Sequence, residues 1–143
     1  MRISAKAQYA CIAMLELAAS QREPQPVHVR AIADAHGISQ RFLVQILLQL
    51  KLAGLADSTR GAAGGYQLAR PPEDVTLADI INAIDHPPPA KSALSGLLPS
   101  SAVQAVQTVL QEVHAKEQGL LEEITLADML RRTHEHNVTS YQI

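Results

Sequence analysis

Tryptophan is absent from this 143-residue chain, and only three Tyr and one Phe represent the other aromatics. Yet 47% of the residues are hydrophobic, which excludes wholesale disorder. The core must therefore be aliphatic, and its Ala and Leu content favours helices over strands. Few aromatics also argue against recognition of single-stranded nucleic acid, which relies on base stacking. There is one cysteine, Cys11, so no intrachain disulfide can form, as expected in a reducing compartment. No apolar run approaches the roughly 18 residues of a membrane span. Arg2 and Lys6 before the apolar stretch Tyr9–Leu15 resemble a short signal peptide, but Glu16 interrupts that stretch. The segment reads better as an amphipathic helix, and a cytoplasmic location is expected.

Catalytic signatures are missing as well. The histidines are scattered, and no Ser-His-Asp or His-Glu-x-x-His arrangement presents itself, so an enzyme is not expected. The glycine-rich stretch at 61–65 is not followed by Gly-Lys-Ser/Thr, which excludes a nucleotide-binding P-loop. His134 and His136 form a His-x-His near the chain end, read as surface residues rather than as a metal site.

Net charge is only −2, but its distribution is uneven. Residues 1–70 hold eight Lys/Arg against four Asp/Glu, a balance of +4, whereas 71–143 hold four against ten, a balance of −6. A basic half joined to an acidic half fits one end meeting a polyanion.

Apolar residues at Ala7, Ala10, Cys11, Met14, Leu15 and Ala18 follow helical spacing, predicting a helix over Ser4–Ala19 with that stripe inward. Arg22–Pro26 is polar, with two prolines, and reads as a loop. A short helix over Val29–Ala35 buries Ile32 and Ala33, and Gly37 stops it. Ser39 is a natural N-cap for a third helix to about Leu52, with Phe42, Leu43, Ile46, Leu47 and Leu50 inward. The turn His36-Gly37-Ile38-Ser39 makes a helix-turn-helix, with Ile38 as its apolar plug. Leu55–Thr59 and Tyr66–Ala69 read as two strands around a glycine-rich tip, which completes a winged helix. Thr76–Asp85 is a fourth helix, opened by a Thr76/Asp79 capping box. His86–Pro99, with four prolines and a glycine, reads as an irregular linker. Ser100 or Ser101 then caps a long helix to about Glu123. Thr125/Asp128 repeats the capping pattern before a last helix, Leu126–His134, with a frayed tail after Glu135. The two Thr-Leu-Ala-Asp runs, 76–79 and 125–128, read as similar caps rather than a duplication.

The expected fold is thus mainly α: a three-helix core plus a two-stranded wing, with a long C-terminal dimerisation helix. Residues 1–85 form the winged helix-turn-helix, 86–99 the linker, and 100–143 the dimerisation helices and tail. On the long helix Val103, Val106, Leu110, Val113, Leu120 and Ile124 alternate spacings of three and four, Glu117 filling the missed position. That is a heptad seam, suited either to a second copy or to the chain's own wing domain.

The run Gly37-Ile38-Ser39, Phe42-Leu43, Gln45, Leu50, Gly54-Leu55, Arg60-Gly61 and Gly64-Gly65-Tyr66 resembles the Rrf-two family of winged-helix regulators. Met1-Arg2-Ile3-Ser4, Tyr9-Ala10 and Val75-Thr76-Leu77 fit as well. The resemblance is close over 1–85 and architectural over 86–143. It implies double-stranded DNA as partner, a homodimer paired through the long helix, and transcriptional regulation, with a repressor on a palindromic operator expected. Cluster-bearing members place three cysteines between the fourth helix and the long one. His86–Ser101 has none, so no iron–sulfur cluster or other cofactor is expected.

A recognition helix reads bases with its first turns, which here are Ser39, Gln40, Arg41, Val44 and Gln45. Gln pairs bidentately with adenine and Arg with guanine, and Val44 suits a thymine methyl. Arg60 stands at the base of the tip, placed for a narrow minor groove. Gly61, Gly64 and Gly65 are expected to permit positive φ and close approach to the duplex. Lys6 and Tyr9 are further candidates for phosphate contact. Cys11 is expected to be a buried packing residue rather than a redox sensor. A small-molecule or protein effector near His86–Pro99 is a further expectation. The rival reading is a winged-helix protein–protein interaction module without specific DNA binding.

Overall fold

The computed structural model describes residues 3–23, 25–61, 64–85 and 93–141. Calls resting on Met1, Arg2, Ala62, Ala63 and residues 86–92 lie outside these. Six helices run in the order α1 (Ala5–Ala19), α2 (Val29–His36), α3 (Gln40–Leu52), α4 (Leu77–Ile84), α5 (Ser101–Glu123) and α6 (Leu126–Tyr141). Strands β1 (Ala56–Thr59) and β2 (Gly65–Leu68) form an antiparallel hairpin between α3 and α4. Short 3-10 turns cover Pro72–Asp74 and Ala93–Gly96, the second within the stretch expected to be irregular.

Helix starts follow their caps. Ser4 accepts from the Ala7 N–H at 3.0 Å, and Ser100, not Ser101, caps α5 by accepting from the Val103 N–H at 3.1 Å. Gly37 closes α2 in the left-handed region, at φ 66°, as an αL stop requires. The buried face of α1 is Ala7, Ala10, Ala13, Met14, Leu17 and Ala18. Relative to the expected stripe it is rotated, so that Cys11 and Leu15 are only partly buried. The expected stripe took every apolar residue at the right spacing as equal. In the fold, α3 and α4 pack on one side of α1, and that side decides which residues are covered.

The core joins α1, Ile32 and Ala33 of α2, Leu43, Ile46, Leu47 and Leu50 of α3, and Ile80, Ile81 and Ile84 of α4. Phe42 is half-buried at its edge. Leu121 and Leu126 belong to the same core, and Met129 and Leu130 of α6 pack against it. The α5–α6 corner is therefore seated on the chain's own helical core. The last helix does not stop at His134 but continues to Tyr141; its polar composition signalled solvent exposure, which a helix tolerates.

The two Thr-Leu-Ala-Asp runs meet. Thr76 and Thr125 form an antiparallel bridge in which the Leu77 N–H donates to the Ile124 carbonyl and the Leu126 N–H to the Val75 carbonyl, both at 2.8 Å. Each run also closes its own capping box. Thr76 and Asp79 exchange bonds of 3.0 and 3.1 Å, Thr125 and Asp128 bonds of 2.9 and 3.0 Å. The starts of α4 and α6 are thus stitched side by side. The backbone N–H bond from Thr125 holds the half-buried Asp128 carboxyl below its usual range, with help from the Thr125 hydroxyl and nearby arginines.

Candidate nucleic-acid interface

Helix α3 divides cleanly into two faces. Leu43, Ile46, Leu47 and Leu50 have no exposure, while Ser39, Gln40, Arg41, Val44 and Gln45 face solvent. Ser39 caps the helix, accepting from the Phe42 N–H at 3.4 Å. The Phe42 ring meets Tyr9 edge-on at 5.7 Å, which ties the start of α3 to α1. Tyr9 is thereby a half-buried packing residue as well as a surface one, and Lys6 is half-buried on the same helix.

The wing pairs Ala56 with Leu68, Asp57 with Gln67, Ser58 with Tyr66 and Thr59 with Gly65. Its first strand starts one residue later than expected and ends at Thr59 as expected, and its second lies one residue earlier at both ends. Val27, expected to follow a plain loop, adds an isolated antiparallel bridge to β2. Its N–H donates to the Tyr66 carbonyl at 2.9 Å, and its carbonyl accepts from the Tyr66 N–H at 2.8 Å. Lys51 Nζ donates to Ser58 Oγ at 2.6 Å, linking the end of α3 to β1.

The three wing glycines have different reasons to be glycine. Only Gly61 has positive φ, at 104°. A Cβ on Gly64 would stand 2.3 Å from the Thr59 carbonyl oxygen, and one on Gly65 would stand 2.4 Å from that of Val27. The positive-φ expectation is therefore corrected for Gly64 and Gly65. Those two are required by the close approach of the chain's own backbone, and Gly64 is buried. Sequence could not separate these cases, because the Val27 backbone that crowds Gly65 comes from a segment with no strand signal.

Between the start of α2, the start of α3 and the wing lies a concavity of about 420 Å³, whose lining includes His28, Arg30, Gln40, Ser58, Arg60 and Gly64. It brings together Gln40, Arg60, Gly64 and Gly65. Arg41, Val44 and Gln45 continue along the exposed side of α3, and Lys6 and Tyr9 stand apart on α1. His28 and Arg30 were missed as groove residues; their only sequence signal was a basic pair beside a helix start. Among the described residues no carboxylate lines the groove. Arg30 approaches Asp34 at 3.7 Å, but both are exposed, so little of its charge is neutralised.

Helix α5 exposes the expected seam. Val106, Leu110, Val113 and Leu120 are between 47% and 61% exposed, and Val109, absent from the expected set, joins them. Val103 is half-buried. Ile124 lies just past the helix end, in extended conformation, and its carbonyl serves the Thr76–Thr125 bridge. Val106, Leu110, Val113 and Leu120 are therefore left uncovered by the described residues of the chain itself, whereas Ile124 sits against the start of α4.

Residues 3–132 match the family model of Rrf2, described as an iron-dependent transcriptional regulator. The chain belongs to the Rrf2 family. A Mycobacterium tuberculosis protein named as an HTH-type transcriptional regulator is 40% identical over 131 residues, covering 90% of this chain and 81% of that one. Protein rrf2 of Nitratidesulfovibrio vulgaris is 32% identical over 133 residues, covering 92% and 88%. Among solved structures, T. potens IscR has a TM-score of 0.78 at 35% identity, covering 95% of this chain and 90% of that one. The Bacillus subtilis cysteine regulator CymR also scores 0.78, at 30% identity, covering 92% and 98%. This chain is accordingly a winged-helix, DNA-binding transcriptional regulator and not an enzyme.

The iron in the Rrf2 family's description does not fit this chain's donors. A cysteine-ligated cluster needs several thiolates, and the sequence supplies one thiol. That thiol, Cys11, is partly buried on α1 against the core, where burial pushes its pKa up to about 11. A thiol so disfavoured as thiolate is a poor ligand. Among the described residues no three His, Cys, Asp or Glu gather as a metal site. No helix of the described residues is long and apolar enough to cross a membrane.

Proposed function

We propose that this Rrf2-family protein is a homodimeric repressor that binds a dyad-symmetric operator in the cytoplasm without an iron–sulfur cluster. The observation behind this reading is the groove shared by Gln40 of α3 and Arg60 of the wing, whose lining among the described residues is basic and neutral. A helix face and a hairpin tip flanking one concavity suit adjacent major and minor grooves of a duplex. Ser39, Gln40, Arg41, Val44 and Gln45 read and position the major groove. Arg60 enters the minor groove beside the Gly61–Gly65 tip, and Lys6 and Tyr9 touch the flanking backbone. Residues 1–85 serve as the DNA-binding unit, 86–99 as linker and 100–143 as the dimerisation unit.

The seam of Val106, Val109, Leu110, Val113 and Leu120, exposed in one chain, pairs with its twin, flanked by the half-buried Val103 and Ile124. Dimerisation sets two recognition helices on half-sites related by a dyad. The test is selection of genomic fragments by purified protein, followed by salt titration of the retained sites. Specific retention of an inverted repeat, with affinity falling steeply as salt rises, is expected. Failure to retain any duplex at low ionic strength would leave the protein–protein module as the better account.

A further inference from the structure

A second concavity, of about 470 Å³, lies on the other side of the wing domain, between the C-terminal half of α3 and the start of α4. That volume is in the range of small-molecule sites. Gln49, Leu52 and Ala53 come from α3, Asp79 and Asn82 from α4, and Arg70 from the segment after β2. Four groups of this lining are left without a full set of partners among the described residues.

Arg70 and Asp79 face one cavity, yet they form no ion pair with each other, and Arg70 has no acidic partner among the described residues. One Asp79 oxygen holds the Thr76 N–H; the other has no such bond. Gln49 has its side-chain oxygen buried without a hydrogen-bond partner among the described residues. An unmade bond of that kind costs stability. Contact with an occupant would require this amide, whose terminal torsion is soft, to turn its oxygen toward the cavity. Leu52, at the cavity's lip, is 79% exposed. A cation and an anion held apart, an idle carbonyl and an uncovered aliphatic side chain together describe the complement of a zwitterion with a modest apolar body.

We propose that this cavity is an effector site for a free α-amino acid. Its carboxylate meets Arg70, its ammonium group meets Asp79 and the Gln49 carbonyl, and its side chain covers Leu52. The occupant spans α3, which carries the DNA-reading face, and α4, whose first residue is bridged through Thr76 and Thr125 to the α5–α6 corner. Occupancy then shifts the recognition helix relative to the dimerisation unit and changes operator affinity. This regulatory half rests on the DNA-binding reading; binding of the amino acid does not.

The test uses the full chain, screened by thermal shift and calorimetry against each of the twenty L-amino acids at millimolar concentration. Succinate and butylamine serve as single-charge controls. At least one amino acid is expected to raise the Tm, with tenfold or weaker binding of both controls. Arg70→Ala and Asp79→Asn should each weaken binding at least tenfold, the latter keeping an acceptor for the cap. Gln49→Met should raise the Tm of the ligand-free protein while abolishing the amino-acid shift. A flat panel, or binding unchanged in Arg70→Ala and Gln49→Met, would overturn the site. Binding that leaves operator affinity unchanged would overturn its regulatory role alone. Amino-acid binding by a protein that retains no duplex would instead count against the DNA reading.

Discussion

The carboxylate of Asp85, at the end of α4, holds Ser4, the residue that caps α1. The Ser4 N–H donates to Oδ2 at 3.0 Å and its hydroxyl to Oδ1 at 2.6 Å. The same hydroxyl accepts from the Ala7 N–H, so one serine links a helix start to a helix end 81 residues away in sequence. Asp85→Ala leaves two part-buried donors without an acceptor. A loss of about 1–3 kcal/mol is expected, with Asp85→Asn recovering part of it. Urea unfolding midpoints measure both, and an unshifted midpoint for the alanine variant would show the clasp to be energetically idle.

The bridge between Thr76 and Thr125 predicts coupling between two caps distant in sequence. Removing either hydroxyl, as Thr76→Ala or Thr125→Ala, should cost about 0.5–2 kcal/mol. Because the two strands share backbone bonds, their effects should be non-additive by about 0.5 kcal/mol or more. A double-mutant cycle on thermal or urea unfolding reads this directly; strict additivity would mean that the caps act alone.

Arg60→Ala should weaken operator binding by about 1–3 kcal/mol. Arg30→Ala, across the groove, should reduce the slope of log K against log salt by about one, as the loss of a phosphate contact does. Gel-shift titrations at several salt concentrations separate the two roles. Equal affinity of Arg60→Ala and the parent protein would remove the wing arginine from the contact set.

A charge on the α5 seam should split the dimer. Leu110→Glu or Val113→Glu buries an unpaired carboxylate against a second copy, at a cost that apolar contact cannot offset. Both side chains are about half exposed in one chain, so the fold of each subunit should survive. Sedimentation at micromolar concentration should show a dimeric parent and monomeric variants with unchanged circular dichroism. A monomeric parent would refute the pairing.

Cys11 should be slow to react. Burial disfavours its thiolate and pushes its pKa from the ordinary 9.0 up to about 11. The folded chain therefore keeps its proton where an unfolded chain has lost it. The stability linked to this group is intact below pH 9 and is lost as pH rises toward 11. Labelling by a thiol reagent should be slow in native protein near neutral pH and rapid in denaturant. Fast native labelling would contradict the burial.

Local signals in the chain carried much of this architecture. Ser39, Thr76 and Thr125, and the pair Ser100–Ser101, announced helix starts, because a capping hydroxyl acts within three residues; the cap at Ser4 came from the structure. The α3 stripe was legible because burial at Leu43, Ile46, Leu47 and Leu50 repeats with the helical period. The exposed faces of α3 and α5, and the wing tip, followed as the complements of those patterns.

What pairs at a distance was set only by the tertiary structure. The Ser4–Asp85 clasp, the Thr76–Thr125 bridge and the Val27–Tyr66 bridge each join segments whose own patterns are complete without the other. The placing of His28 and Arg30 on one groove with Arg60, and of Arg70 and Asp79 on one cavity, belongs to the same class. Sequence periodicity reports which side of an element avoids water, since burial repeats with the helix or strand. It carries no information on which other element covers that side, and the rotated face of α1 and the crowding at Gly65 follow from that choice.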